Sequence, residues 1–183
     1  MTEHYSKFLN RTQVGQGGRS TLSRVEYAFD ETSDELNKFT FDLYELRASA
    51  AVVPMDDDGN IYLLNEFAPG VGAWQITLAR GGIDKGESPI DCARRECIEE
   101  MGLSCATLEP LWAGYMAANA SNWHVTVFVG RGITPVPCEG GDEVYPMDVI
   151  KMPLADAVAK VISGDIQNAV AAVAILTLYN KNR

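Results

Sequence analysis

GGIDKGESPIDCARRECIEEMGL, residues 81–103, is the stretch of this 183-residue chain whose reading decides the fold. Ser88 followed by Pro89 and Asp91 is a helix start: a capping hydroxyl, a proline at the first helical position and a carboxylate in the first turn. Gly102 is a helix stop, with Leu103 available for the apolar contact beyond it. The two signals enclose a helix of about 13 residues. Ile90, Ala93, Cys97 and Met101 recur at intervals of three and four, so they form one apolar stripe. Glu96, Glu99 and Glu100 stand at i, i+3 and i+4, which brings their carboxylates together on an adjoining face. Like charges at that spacing repel by about a few tenths of a kcal/mol in water, and by more when partly buried. Two readings stay open at this point: a solvated acidic face, or a site for a hard divalent cation, to which carboxylate oxygens are suited.

Outward from the helix the pattern turns to strands. Ala50–Pro54 and Ile61–Phe67 are short apolar runs joined by Asp56-Asp57-Asp58-Gly59-Asn60, which predicts a hairpin; the alternating ligands and distant Glu of a calcium loop are missing. Leu108–Met116, Trp123–Val129 and Val149–Met152 are further predicted strands. Pro153–Ile162 and Asp165–Leu178 carry helical spacing. In the first 48 residues, Leu22–Phe29 and Lys38–Arg47 alternate partially around a polar Asp30–Asn37, which predicts a hairpin. Gly15-Gln16-Gly17-Gly18 reads as a flexible turn and not a phosphate loop: no strand is predicted before it and no Lys-Ser/Thr follows. Trp74 and Tyr115 are expected in the core, with a stacking role as the alternative.

Composition narrows the partners. Apolar residues are 46% and charged residues 22% of the chain, which excludes disorder. With 25 acids against 15 bases, the formal charge is −10. Such a chain is unsuited to nucleic acid or to an anionic membrane surface, both of which call for Lys and Arg. MTEHYSKFLNRTQ at the N-terminus has no apolar run, so no secretory leader is expected. The longest apolar stretch, Ala169–Tyr179, is far short of the roughly 20 residues needed to span a bilayer. Cys92, Cys97, Cys105 and Cys138 show no CxxC spacing and read as reduced thiols of a cytoplasmic protein. His4 and His124 have no partner at metal-ligand spacing.

The charge is concentrated. Residues 81–103 hold six acids and three bases, and residues 139–148 hold four acids and no base, so −7 of the −10 lies in these two segments. Gly81, Glu87 and Arg95-Glu96-x-x-Glu99-Glu100-x-Gly102 together resemble the Nudix box. A chance match of this kind in a chain of this length is on the order of 10⁻⁵ or less at average residue usage. One apolar position of the box holds Cys97, a small hydrophobe. Ile61–Phe67, Gln75–Ile83 and the acidic loop leading to Met152-Pro153-Leu154 extend the resemblance to the ADP-ribose pyrophosphatase and ADP-compounds hydrolase branch of the Nudix hydrolases.

The resemblance implies an α/β/α sandwich around a mixed β-sheet, with an N-terminal β-strand appendage. It divides the chain into residues 1–48, a strand segment for homodimerisation, and residues 49–183, the hydrolase domain. It also implies metal-dependent hydrolysis of the pyrophosphate bond of a small nucleoside diphosphate derivative: ADP-ribose, NADH or a diadenosine polyphosphate, with release of AMP. Nucleotide sugars or nucleoside triphosphates are the alternative substrates, and a non-catalytic nucleotide-binding domain is the rival reading. Residue by residue, Glu96 and Glu100 are the implied principal ligands of Mg²⁺ or Mn²⁺. Glu99 is implied as a ligand or close support and the Arg80 carbonyl as a further ligand, while Arg95 and Glu87 orient the helix glutamates. The implied general base is Glu143, with Glu139 as the alternative. Arg47, Glu66 and Gln75 are implied to face the substrate. The proline that ADP-ribose hydrolases carry past the box is absent from Tyr115–Ser121, so the resemblance leaves the preferred substrate open.

Overall fold

The computed structural model describes residues 6–29, 38–138 and 147–183. Among the described residues, ten strands and three helices follow one another in the order β1(Lys7–Gln16), β2(Ser20–Ala28), β3(Lys38–Leu46), β4(Ser49–Pro54), β5(Asn60–Ala68), β6(Ala73–Thr77), β7(Ala79–Gly82), α1(Pro89–Met101), β8(Leu103–Tyr115), β9(His124–Pro135), β10(Asp148–Pro153), α2(Leu154–Ser163) and α3(Ala169–Lys181). The class is mixed α/β, as the sequence predicts. The chain forms two compact units. One comprises the residues up to Arg47 together with Tyr115–His124, and the other Ala48–Gly114 with Val125–Arg183.

In the first unit β1, β2 and β3 make an antiparallel sheet. Here the sequence reading is corrected: a strand does precede Gly15–Gly18, because β1 runs from Lys7 to Gln16. Its polar residues (Asn10, Arg11, Thr12, Gln13) are exposed, so no alternation marks it, and it is a strand because its backbone pairs with β2. The turn between them closes on a hydrogen bond from the Gly17 N–H to the Ser20 carbonyl at 2.7 Å.

The second unit holds two sheets, ordered β10-β5-β6 and β7-β4-β9-β8. All six residues of β4 are buried, which fits a strand flanked on both edges, antiparallel to β7 and parallel to β9. The Asp56–Asn60 turn is fastened by Asp56, which accepts from Asn60 and pairs with Lys151 on β10 at 2.7 Å. β8 starts five residues earlier than predicted, directly from the helix stop at Gly102. α3 starts four residues later than predicted, where the Asn168 side chain caps it by accepting from the Ala171 N–H.

Helix α1 realises the local signals. Ser88 accepts from the Asp91 N–H, a cap worth about 1 kcal/mol, and Gly102 takes the left-handed conformation at φ 62° while its N–H reaches back to the Ile98 carbonyl. Ala93, Cys97 and Met101 go into a core with Ala50, Val52, Leu64 and Phe128, and Ile90 packs at its margin. Burying a side chain the size of Met101 contributes about 1.5–3 kcal/mol. This packing presses α1 onto β4 and β7. No helix among the described residues is long and apolar enough to cross a membrane.

Candidate metal and active site

The contact of α1 with β7 assembles the site. At its centre is the Arg95 guanidinium, half-buried, with its donors divided between two directions. Toward the loop before the helix, Nε donates to Glu87 Oε1 at 2.9 Å and Nη2 to Glu87 Oε2 at 3.2 Å. Toward the helix, Nη1 alone serves two carboxylates, Glu96 Oε1 at 2.6 Å and Glu99 Oε2 at 2.9 Å. Glu87 is in turn held by the Asp84 N–H at 2.9 Å. These charge-assisted bonds lower the Glu87 pKa and raise that of Arg95, with the Arg95–Glu87 hydrogen bond as the first cause of both shifts.

Glu96 and Glu100 lie one helical turn apart and behave differently from a solvated acidic face. Glu96 is 8% exposed. Burial raises its pKa, opposed by Arg95. Glu100 accepts the Arg80 N–H at 2.9 Å through Oε2. Burial pushes its carboxyl up to about 8, and the neighbouring charges of Glu96 and Glu66 add to the rise. Gly81 makes the seat of Glu96: a Cβ built at Gly81 would overlap the Glu96 carboxylate. Residue 81 is therefore glycine for close approach, since its φ is not in the left-handed region.

Cys92 is a participant that the sequence reading missed. It is fully buried, donates to the Gly81 carbonyl at 3.6 Å and accepts from Arg95 Nη2 at 3.5 Å. Burial, then the Glu87 and Glu96 charges, push its thiol up to about 12, so it remains protonated. The available signal was its place three residues before Arg95, on the same helix face.

Other residues that the sequence singles out are more scattered. Arg80 is on β7, opposite Ala51 of β4. Glu66 and Gln75 face each other across β5 and β6, and Glu66 is near enough to act on Glu100 electrostatically. Arg47 lines a cavity of about 440 Å³ within the first unit, with Arg19, Glu45 and Asn122 among its neighbours. Glu139 and Glu143 lie outside the described residues. The core placement of Trp74 and Tyr115 is corrected: they are 50% and 63% exposed. Trp74 meets Phe67 edge-on at 5.9 Å, and Tyr115 meets His124 edge-on at 5.0 Å. Residue type alone does not say which side of a strand or which end faces water.

The donor set suits a hard cation. Glu96, Glu99 and Glu100 offer carboxylate oxygens only, and the Glu100 carboxyl, pushed up to about 8 by desolvation, gains its charge more readily when positive charge arrives. Among the described residues no group of three or more His, Cys, Asp and Glu side chains is already gathered to hold a metal ion. The physical reason is that Arg95 Nη1 draws Glu96 and Glu99 to itself, while the Arg80 N–H holds Glu100.

The sequence profile of the NUDIX domain matches residues 45–163. The ADP compounds hydrolase NudE of Escherichia coli is 32% identical over 109 residues, covering 60% of this chain and 58% of that protein, so the match spans less than two thirds of that relative. An ADP-ribose pyrophosphatase of Mycobacterium tuberculosis is 31% identical over 142 residues, covering 76% and 69% of the two chains. The fold is similar to a crystal structure of an ADP compounds hydrolase, with a TM-score of 0.80, 22% identity, and 100% and 97% of the two chains covered.

Proposed function

This chain belongs to the NUDIX domain family, and from that premise we propose that it is a metal-dependent pyrophosphohydrolase of ADP-linked compounds such as ADP-ribose. The observation that carries the proposal is the pairing of Glu96 and Glu100 one turn apart, the first buried and the second partly so, with Gly81 and the Arg80 N–H seating them. The named activities of the two curated relatives supply the substrate class.

Glu96 and Glu100, supported by Glu99 and the Arg80 carbonyl, would hold Mg²⁺ or Mn²⁺. A divalent cation there supplies neutralisation of the pyrophosphate charge, which is what makes attack by water at phosphorus feasible. The chain's own contribution is orientation and proton handling. Arg95 and Glu87 fix the glutamates of α1, and Glu143 takes the proton of the attacking water, with Glu139 as the alternative. Glu66, Gln75 and Arg47 bind the nucleotide. NADH and diadenosine polyphosphates are further substrates of the same class, and AMP is the expected product.

The test is a panel of ADP-ribose, NADH, a diadenosine polyphosphate, a nucleotide sugar and a nucleoside triphosphate with Mg²⁺. AMP release from an ADP-linked member, abolished by chelation, is expected. Release of a nucleoside monophosphate only from the sugar or triphosphate would move the substrate class, and none from any would overturn the reading.

The segment of residues 1–48 is proposed to join two copies. What supports this is one face of the β1–β2–β3 sheet, where Phe8, Phe29, Phe39 and Phe41 are 39–51% exposed and touch each other or Tyr27 edge-on. Large apolar surface of this kind is unusual on a monomer. Two chains of 20.0 kDa predict a mass of about 40 kDa by light scattering.

A further inference from the structure

We propose that Arg95 occupies the carboxylates of α1 in place of the cation and that metal binding is an exchange, in which the Nη1 half of the guanidinium leaves Glu96 and Glu99 while the Nε/Nη2 half stays on Glu87. The inference rests on the reading of the site as a divalent-cation site. It goes beyond an orienting role, because an orienting residue helps metal to bind and an exchanging one competes with it.

The geometry divides the guanidinium in two. The fork on Glu87 is a bidentate carboxylate pair at 2.9 and 3.2 Å, the arrangement that holds arginine most firmly. The Glu87 end is itself anchored by the Asp84 N–H at 2.9 Å. On the other side a single nitrogen, Nη1, bridges Glu96 Oε1 and Glu99 Oε2 at 2.6 and 2.9 Å. That nitrogen hydrogen-bonds two of the three helix carboxylates and so relieves part of their mutual repulsion in a half-buried place. A dication on these carboxylates would stand a few ångströms from a guanidinium nitrogen, and like charges at that distance repel in a poorly solvated site. Glu87 therefore keeps Arg95 from following the helix carboxylates, and keeps it close enough to return.

Opposite shifts in metal affinity test this. Mn²⁺ binding to the full-length protein is measured without substrate, by titration calorimetry or by the loss of free Mn²⁺ signal in electron spin resonance. Arg95→Met removes the competitor, and its Mn²⁺ Kd is expected to fall about tenfold, the size of one displaced charge-assisted bond. Glu87→Gln frees the whole guanidinium for Glu96 and Glu99, and its Kd is expected to rise by a similar factor. Arg94→Met removes the same charge one residue away, from a side chain that donates to the Cys105 carbonyl at 2.9 Å, and controls for net charge. It is expected to change Kd by less than about twofold.

If Arg95→Met weakens Mn²⁺ binding or leaves it unchanged in a protein that stays folded by circular dichroism, Arg95 does not compete with the cation and the exchange is overturned. If it fails to fold, Glu87→Gln decides alone: a tighter or unchanged Kd overturns the exchange. If the wild-type protein hydrolyses its substrate while a variant shows either of these contrary shifts, the hydrolase reading stands and the exchange alone falls. A wild-type protein that binds no Mn²⁺ and releases no nucleotide takes both down.

Discussion

Glu100→Gln is expected to lower kcat by about three orders of magnitude while leaving the metal-free protein as stable as the parent in acid and more stable at neutral pH. The loss follows from the proposed role: a carboxylate ligand to a catalytic dication is worth several kcal/mol, and about 1.4 kcal/mol is tenfold in rate. The retained stability follows from the structure. Gln keeps an oxygen to accept the Arg80 N–H, which Glu100 accepts at 2.9 Å. It is also neutral in the folded and the unfolded chain alike, whereas the parent carboxyl, with burial holding its pKa near 8, must take up a proton to fold at pH 7.

The pH dependence has a definite sign. A carboxyl raised from 4.5 to about 8 on folding contributes stability that is fully present below 4.5 and is lost as pH climbs through 8. In chelator, the parent should therefore lose stability across that window relative to Glu100→Gln, as read from denaturant midpoints at pH 5, 7 and 9. With Mg²⁺ present the order should reverse, because the parent gains the cation and the variant does not. Retained activity in Glu100→Gln, or stability curves that run parallel in chelator, would remove Glu100 from the site.

Gly81→Ala is expected to separate activity from stability just as sharply. The added methyl overlaps the Glu96 carboxylate, the far end of a flexible side chain, which swings away at small cost. The backbone at residue 81 is open to alanine, since its φ is not in the left-handed region, and losing glycine freedom in the unfolded chain offsets part of the clash. Unfolding free energy should change by no more than about 1 kcal/mol. The carboxylate, however, leaves its seat and its 2.6 Å bond to Arg95 Nη1, so kcat should fall by about 10²–10³. Thermal unfolding and steady-state kinetics on the same preparation check it; full activity would mean that Glu96 is not needed where the structure puts it.

Helix α1 was legible from the sequence to the residue. Its signals are local: a capping serine, a proline, a stripe at helical spacing and a glycine stop act within one or two turns of themselves. β1 was illegible for the converse reason. Its polar residues are exposed, so hydrophobic alternation never arises, and only pairing with β2 makes it a strand. Trp74 and Tyr115 went astray because apolar type says that burial is favourable, not that the fold has room for it. Glu139 and Glu143 are outside the described residues, and their roles rest on the resemblance.

The sequence by itself determined that this is a mixed α/β chain with a capped helix carrying Glu96, Glu99 and Glu100 on one face, and that Arg95 and Glu87 accompany them. Periodicity and capping are short-range physics, so they can be read without the fold. What the carboxylates do to each other was decided only in three dimensions. β7, paired to β4, brings Gly81 under Glu96 and the Arg80 N–H to Glu100, leaving the first buried and the second partly so. It likewise took the folded loop to aim Glu87 at one side of Arg95 and leave the other side on the helix. Burial and the direction of a guanidinium depend on contacts between segments that the chain order keeps apart, and no spacing along the sequence encodes them.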